Sequence, residues 1–503
     1  MPRKKSSKFQ KTKRVKKPAR AQVKKTAALQ KLSLAAPPPV SRAPEVLQPA
    51  RGMRDILPQE ENFWKIVTSR ASEISSAFGY GYIETPILEH KSLFVRGVGG
   101  VTDIVQKEMY SFKDQGGDEL CLRPEGTAAV ARAYINHGML NLPQPVKLWY
   151  LGPFFRRERP QAGRYRQFHQ WSVEVLGDEH PVLDAEVISL AVAFFRDLEI
   201  PVTLEMNSIG CEECRSAYKQ ELVKFYTPKR ELLCEACKAR LQTNPMRLLD
   251  CKEPQCELLK EGAPQTTDNL CEKCRDHFIK VLEYLDELAI PYNLNTHIVR
   301  GLDYYNRTVF EILPAKVVPV KEVKDGSDVK EVQEGQVGTE EKTEVTEEKE
   351  EKLSAQSALG GGGRYDGLVA QLGGRPTPAV GFSVGLERTV NMVRALKRQG
   401  LNAQVPRVFI AQLGEAARRK TLALWHILRK DVSVAASLSK DGLKAQLEIA
   451  NRLGVRFAVI IGQKEILDDT AIIRDMEAGI QEVVDYNRLP HEIKKKLSDE
   501  IKG

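Results

Sequence analysis

The chain has 503 residues, 42% of them hydrophobic and 28% charged, with a formal net charge of +9. That length allows roughly two to four domains with cores of their own, the composition excludes a fibrous or low-complexity chain, and no run of about 18 apolar residues offers a membrane span. The N-terminus also lacks the apolar stretch of a secretory signal, so an intracellular protein is expected.

Residues 1–44 contain no acid and many lysines, as in "MPRKKSSKFQKTKRVKKPARAQVKKT", and run into "AAPPPV". So few apolar residues cannot build a core, and a disordered basic arm is expected over 1–48. Its charge suits a polyanion such as RNA, through counterion release; the alternative is a solubilising tail without a specific partner. An organellar transit peptide would be richer in arginine and serine and more amphipathic.

The stretch "CLRPEGTAAVARAYINHGML" sets Glu125 and Thr127 just before a helix whose apolar spacing begins at Ala128. A carboxylate at a helix entry either holds an ammonium group or caps the helix. Next, "PVKLWYLGPFF" is rich in strand formers, and "QFHQWSVEVL" alternates, with Trp171, Val173 and Val175 on one face and Gln170, Ser172 and Glu174 on the other. Between them "GPFFRRERPQAGRYRQFHQW" carries five arginines, and Pro153 and Pro160 oppose a helix. A strand, loop, strand unit is expected, its guanidinium forks aimed at phosphate or carboxylate, or else a surface hairpin with solvated charge.

Eight of the nine cysteines lie between Cys211 and Cys274, as "CEEC", "CEAC", "CKEPQC" and "CEKC". Paired thiolates at that spacing match tetrahedral zinc knuckles, and disulfides are disfavoured in a chain without a secretion signal; a redox-active or merely reduced set is the alternative. Spacing suggests Cys234, Cys237, Cys251 and Cys256 as one structural site, with Cys211, Cys214, Cys271 and Cys274 as the other. Together they define a Cys-rich zinc-binding module over 208–280. Cys121 stands apart, as a small core residue.

Further on, "VRGLDYYNRTVFEIL" places Arg300, Asp303, Tyr304 and Tyr305 on a glycine-entered strand, and "GGGGRYDGLV" repeats the theme at Arg364, Tyr365 and Asp366. The mixed-charge segment between them lacks aromatics and any core pattern, and is expected to be a disordered acidic insertion over 318–357, an excursion from a hairpin. "AVGFSVGLERTVNMV" puts Arg388 in the first turn of an amphipathic helix, either within reach of a phosphate at the helix N-terminus or as an ordinary exposed helix arginine. From Pro406 the pattern becomes strand, helix, strand, helix, strand and a final charged region, a separate domain with a parallel or mixed sheet covered by helices.

Taken together these segments resemble the histidyl-tRNA synthetases. "GPFFRRERPQAGRYRQFHQWSVEVLG" is similar to motif 2 of the class II synthetases and "VGLER" to motif 3, while "VRGLDYYNRTVFE" and "GGGGRYDGLVAQLGG" resemble the two histidine-specific signatures; "ARGMRDILPQE" and "FVRGVGGVTDIVQKEMYSF" resemble the family's opening region. The resemblance implies an α+β class II catalytic core, an antiparallel sheet flanked by helices, over 49–400, dimeric through its motif 1 region. It further implies a C-terminal α/β anticodon-binding domain over 405–503. The implied activity is attachment of L-histidine to tRNA(His), driven by ATP with Mg²⁺, through histidyl-adenylate. Implied roles are Arg156 on the α-phosphate, Arg300 on that phosphate and the amino acid carboxylate, Arg388 on the γ-phosphate and Glu158 on ATP. Glu125 and Thr127 would take the α-ammonium, Gln170 polar groups of the substrate, and Glu174, Tyr304, Tyr305 and Tyr365 the imidazole. Zinc at the cysteines rests on spacing, since the family's insertion domain need not hold metal. The rival reading is a catalytically silent, synthetase-like regulatory subunit of histidine biosynthesis.

Overall fold

The computed structural model describes residues 47–100, 102–158, 163–315, 358–396 and 406–502. All but the last two residues of the basic arm expected over 1–48, and the whole acidic insertion expected over 318–357, lie outside the described residues.

The central element is an eight-stranded sheet. Its strands run in the order Gly81–Tyr82, Val146–Phe155, Gln167–Leu176, Ala379–Gly385, Gly360–Arg364, Asn306–Pro314, Val202–Ser208 and Tyr292–Leu294. The six inner strands pair antiparallel, as expected, and the short strand at each edge adds a parallel pairing. Parallel pairing needs a long crossover. Tyr292–Leu294 reaches its place at one edge by way of the whole cysteine-rich excursion.

Alternation along Gln167–Leu176 sorts the two faces of the sheet. Trp171, Val173 and Val175 are buried against the helices Glu61–Ala77, Val182–Asp197, Glu272–Glu287 and Leu386–Leu396. Each such large apolar side chain removed from water contributes about 1.5–3 kcal/mol. The indole of Trp171 is also tied down, its Nε1–H donating to Ser75 Oγ at 3.0 Å. Gln170, Ser172 and Glu174 occupy the opposite face, so one side of the strand carries the core and the other carries polar groups. On that face the glycines of Gly360–Arg364 and Ala379–Gly385 keep the floor low: a Cβ on Gly361 would lie 3.0 Å from Arg300 Nη1, and one on Gly381 would lie 2.0 Å from Glu174 Oε2.

Between Cys211 and Glu287 the chain is helical. Cys211, Cys234 and Cys271 each cap a helix N-terminus, so the second cysteine of each C-x-x-C pair falls in the first turn. The C-terminal sheet has the order Val434–Ala436, Val408–Gln412, Phe457–Ile461, Thr470–Asp475 and Gln481–Asp485. Its first three strands are parallel and the last two antiparallel. Every residue of Val408–Gln412 and Phe457–Ile461 is buried, because helices cover both faces of these central strands. The charged region that sequence reading left unassigned supplies the hairpin Thr470–Asp485 and the helix Leu489–Lys502.

Candidate active site

A cavity of about 420 Å³ opens on the polar face of the large sheet, and three distant segments bring arginines to it: Arg156 from the hairpin, Arg300 from the loop before Asn306–Pro314, and Arg388 from the first turn of Leu386–Leu396. Each guanidinium is held from behind. Arg156 Nε donates to the carbonyl of Pro124 at 2.8 Å and its guanidinium carbon lies 5.3 Å from the centre of the Phe168 ring. Arg300 Nη1 donates to Glu311 Oε1 at 2.6 Å, and Arg388 Nη1 to the carbonyl of Ala358 at 2.5 Å. Among the described residues Arg300 Nε is buried with no hydrogen-bond partner. Burial first, and then the neighbouring Arg164, lower the pKa of Arg388 against the pull of Glu158 and Glu387.

Glu158 lines the same cavity, 3.9 Å from Arg156 Nη1. So do Glu125, Thr127, Gln170, Tyr304 and Tyr305. Glu125 caps the helix Thr127–Asn136: its two carboxylate oxygens accept the backbone N–H groups of Thr127 at 2.7 Å and Ala128 at 3.0 Å. Burial raises its pKa, against those two N–H groups and Arg156, which pull it down.

Glu174 and Tyr365 do not line the cavity; they lie behind Thr127. The Glu174 carboxylate accepts from Thr127 Oγ1 at 2.7 Å, from Tyr150 OH at 2.9 Å and from Tyr365 OH. Burial pushes this carboxyl up to about 8, outweighing the three hydroxyl donors. Tyr304 connects the two layers, its ring centre 4.7 Å from that of Tyr305 and 5.5 Å from that of Tyr365. Residues Arg300–Tyr305, expected on a strand, form a turn instead, and pairing starts at Asn306. The turn faces Arg300 into the cavity together with Tyr304 and Tyr305, which strict alternation along a strand would have placed on opposite sides.

Sequence reading missed several participants. Glu311 pairs with Arg300; Glu387 accepts from the backbone N–H of His169 and contacts its Nδ1 at 2.9 Å. Tyr150 was detectable in principle, since it pairs with Ser172, one diagonal step from Glu174 on the same face. Arg247, from the cysteine-rich module, also lines the cavity and had no sequence signal.

The cysteines gather in the two sets of four that their spacing suggested. The sulfurs of Cys211, Cys214, Cys271 and Cys274 lie within 4.8 Å of one another, as do those of Cys234, Cys237, Cys251 and Cys256. Separations of 3.5 Å between Cys211 and Cys214 and 3.9 Å between Cys234 and Cys251 are too long for a disulfide at about 2.05 Å. They match the edge of about 3.8 Å of a tetrahedron with metal–sulfur bonds of about 2.3 Å. Cys121 is buried in the core, its thiol pushed up to about 12 by burial and by Glu89.

An antiparallel six-stranded centre with an arginine-bearing hairpin beside an arginine-bearing helix N-terminus, all on one polyanion-sized cavity, is the catalytic core of a class II aminoacyl-tRNA synthetase. Residues 52–319 match the histidyl-tRNA synthetase family and residues 407–496 the anticodon binding domain. A histidine–tRNA ligase of Dehalococcoides mccartyi is 44% identical over 90% of this chain and 100% of its own length, and one of Desulforamulus reducens 42% identical over 87% and 97%. The apo histidyl-tRNA synthetase of S. aureus has a similar structure, with a TM-score of 0.67 at 32% identity over 89% of this chain and 99% of the other. The chain belongs to the histidyl-tRNA synthetase family.

Proposed function

We propose that the chain attaches L-histidine to tRNA(His) in two steps. In the first, a carboxylate oxygen of histidine attacks the α-phosphorus of ATP, the bond from that phosphorus to the bridging β-phosphate oxygen breaks, and pyrophosphate leaves. In the second, a terminal ribose hydroxyl of the tRNA attacks the carbonyl of histidyl-adenylate, the ester forms and AMP departs. The observation that carries this reading is the convergence of Arg156, Arg300 and Arg388 on one cavity with Glu125 and Thr127. Bringing a carboxylate to a polyphosphate sets anion against anion, and fixed cations offset that repulsion as charge builds on the pentavalent phosphorus. Mg²⁺ would supply further neutralisation on the phosphates.

The roles are those that the resemblance implies, and the shared cavity supports them. Arg156 and Arg300 grip the α-phosphate, Arg300 also the histidine carboxylate, and Arg388 with the helix N-terminus the γ-phosphate; Glu158 stands on the ATP side. Glu125 and Thr127 receive the ammonium, and Gln170 polar groups nearby. Tyr304 and Tyr305 meet the imidazole, with Glu174 and Tyr365 completing the pocket behind them. A site of buried phenols and a carboxyl rejects an apolar analogue because its own polar groups would be left unpaired.

The domain bounds that fit this division of labour are 49–400 for catalysis, 208–280 for the cysteine-rich module and 405–503 for the anticodon. Each thiolate tetrad holds one structural Zn²⁺, a reading supported by sulfur spacing and by helix N-termini that favour thiolates. A homodimer is supported by the apolar residues Tyr82, Ile87, Leu88 and Phe112, exposed on and beside the short strands Gly81–Tyr82, Leu88–His90 and Ser111–Lys113, and the cytoplasm is the proposed location. No described helix is long and apolar enough to cross a membrane. The silent-subunit reading is disfavoured by the complete arginine set and by the anticodon-binding match. The deciding experiment is ATP–pyrophosphate exchange: exchange that requires histidine, followed by charging of tRNA(His), is expected, and exchange indifferent to histidine would refute the assignment.

A further inference from the structure

The loop that carries Arg300, Tyr304 and Tyr305 has a cavity on each side. Above it lies the active site; beneath it lies a second space of about 250 Å³, lined by Arg215, Asn244, Arg247, Asp303 and Tyr305 among others. Val299, Tyr304 and Tyr305 pack into the core, and the turn between them is held by polar ties, several of which come from the cysteine-rich module. Arg215, which follows Cys214, donates through Nη1 to the carbonyl of Tyr305 at 2.7 Å and reaches that of Asp303 at 3.4 Å. Asn244, at the end of the helix that begins at Cys234 and contains Cys237, donates through Nδ2 to Asp303 Oδ1 at 3.0 Å. The same helix sends Arg240 to Asp103, a residue of the active-site wall, at 3.2 Å. On the catalytic side Asp303 is seated against Val98 and Gly99: its backbone N–H donates to the Val98 carbonyl at 3.2 Å, and a Cβ on Gly99 would lie 2.7 Å from its Oδ2.

We propose that Asp303 is a positioning residue that fastens the histidine-recognition loop to the cysteine-rich module, so that the geometry of the two thiolate tetrads sets how tightly the site holds histidine. The inference rests on the reading of the upper cavity as a histidine site. Asp303 touches no substrate. Its carboxylate is the joint between a module folded around its cysteines and two tyrosines that face the imidazole, and Arg215 fixes the backbone of the same turn from the other tetrad. Loosening either tie lets the tyrosines drift, which weakens histidine binding while the phosphate grip of Arg156 and Arg388 is untouched. Loss of metal from the tetrads acts in the same direction, since it releases the helix ends that aim Arg215 and Asn244.

The test compares the full-length wild type with Asp303→Ala, Asn244→Ala and the double variant, each checked for metal content by mass spectrometry and for folding by melting temperature. Histidine KM in pyrophosphate exchange is expected to rise roughly tenfold in each single variant and kcat to fall with it, because Arg300 rides on the same loop, while the KM for ATP, held by Arg156 and Arg388, stays within about twofold. The double variant should be no worse than the weaker single, because both break one contact. Calorimetric titration of histidine into the enzyme without ATP should show the same loss, and chelator-treated wild type should reproduce it, with recovery on adding Zn²⁺. Unchanged histidine KM in both single variants, a metal-stripped protein that binds histidine normally, or equal damage to the ATP and histidine constants would each overturn the proposal. A wild type without histidine-dependent exchange would instead defeat the functional reading on which it stands.

Discussion

Thr127 Oγ1 donates to Glu174 Oε1 across 2.7 Å, joining the first residue of a helix to the middle of a strand 47 residues away in sequence. That bond makes Glu174 the keystone of a hydroxyl cage, with Tyr150 and Tyr365 as its other members. Because burial holds the carboxyl at about 8, above its ordinary value of 4.5, the folded protein keeps a proton that the unfolded chain releases. The stability it contributes is therefore complete below about pH 4.5 and is lost as pH rises through about 8. Glu174→Gln removes this dependence. Urea titrations at pH 5 and pH 8 should show the wild type losing ground to the variant, by on the order of a few kcal/mol, while the variant's histidine KM rises at least about tenfold.

Gly381 sits opposite Glu174 in the antiparallel ladder. A methyl group there would meet Glu174 Oε2 at 2.0 Å and the Val173 carbonyl at 2.4 Å, so Gly381→Ala forces the carboxylate or the strand to move. A stability loss of about 1–3 kcal/mol is expected, together with weaker histidine binding. Gly367→Ala is the control, its nearest neighbour being Gln371 Nε2 at 3.9 Å; it should leave both quantities unchanged.

Arg388 reaches the cavity from a helix N-terminus and, among the described residues, is anchored through the carbonyls of Gly163 and Ala358. Its truncation leaves the tyrosine pocket intact. Arg388→Ala should lower kcat for pyrophosphate exchange by roughly 10²-fold while histidine binding, measured calorimetrically, stays within about twofold of wild type. A matched loss of histidine affinity would show that Arg388 supports the amino acid pocket instead.

Away from the chemistry, Arg364 and Asp184 form a fully buried ion pair beneath the glycine floor, with His277 Nε2 3.4 Å from Asp184 Oδ1. Burial alone would raise the Asp184 carboxyl, but Arg364 foremost and His277 outweigh it and hold it at about 2, below its ordinary 3.8. The stability from this carboxylate is thus present above about pH 3.8 and is lost as pH falls through about 2. Arg364→Met strands the charge and should cost about 3–5 kcal/mol in a denaturant titration at neutral pH; adding Asp184→Asn should recover part of it.

Much of this architecture was legible locally. The alternation of Trp171, Val173 and Val175 against Gln170, Ser172 and Glu174 fixed which face of one strand is core, because side chains along a strand point to opposite sides whatever surrounds them. The C-x-x-C spacing likewise picked out three of the cysteine pairs, since a helix entry brings the first and fourth residues together, while their gathering into tetrads is tertiary. Where reading failed, the deciding contact was remote. Arg300–Tyr305 follow glycine-entered strand chemistry but turn, because Asp303 is claimed by Val98 on one side and Asn244 on the other.

The chain by itself determined its segments: helices, strands, cysteine pairs and the residue types able to meet phosphate or imidazole, all set by periodicity and side-chain chemistry over a few neighbouring positions. Only the tertiary structure decided that Arg156, Arg300 and Arg388 share one cavity, that Glu174 stands behind Thr127 instead of in the open, and that Arg247 joins the wall from the cysteine-rich module. Those outcomes depend on how the strands order themselves across the sheet and on what burial does to a carboxyl there, and neither quantity resides in any short stretch of sequence.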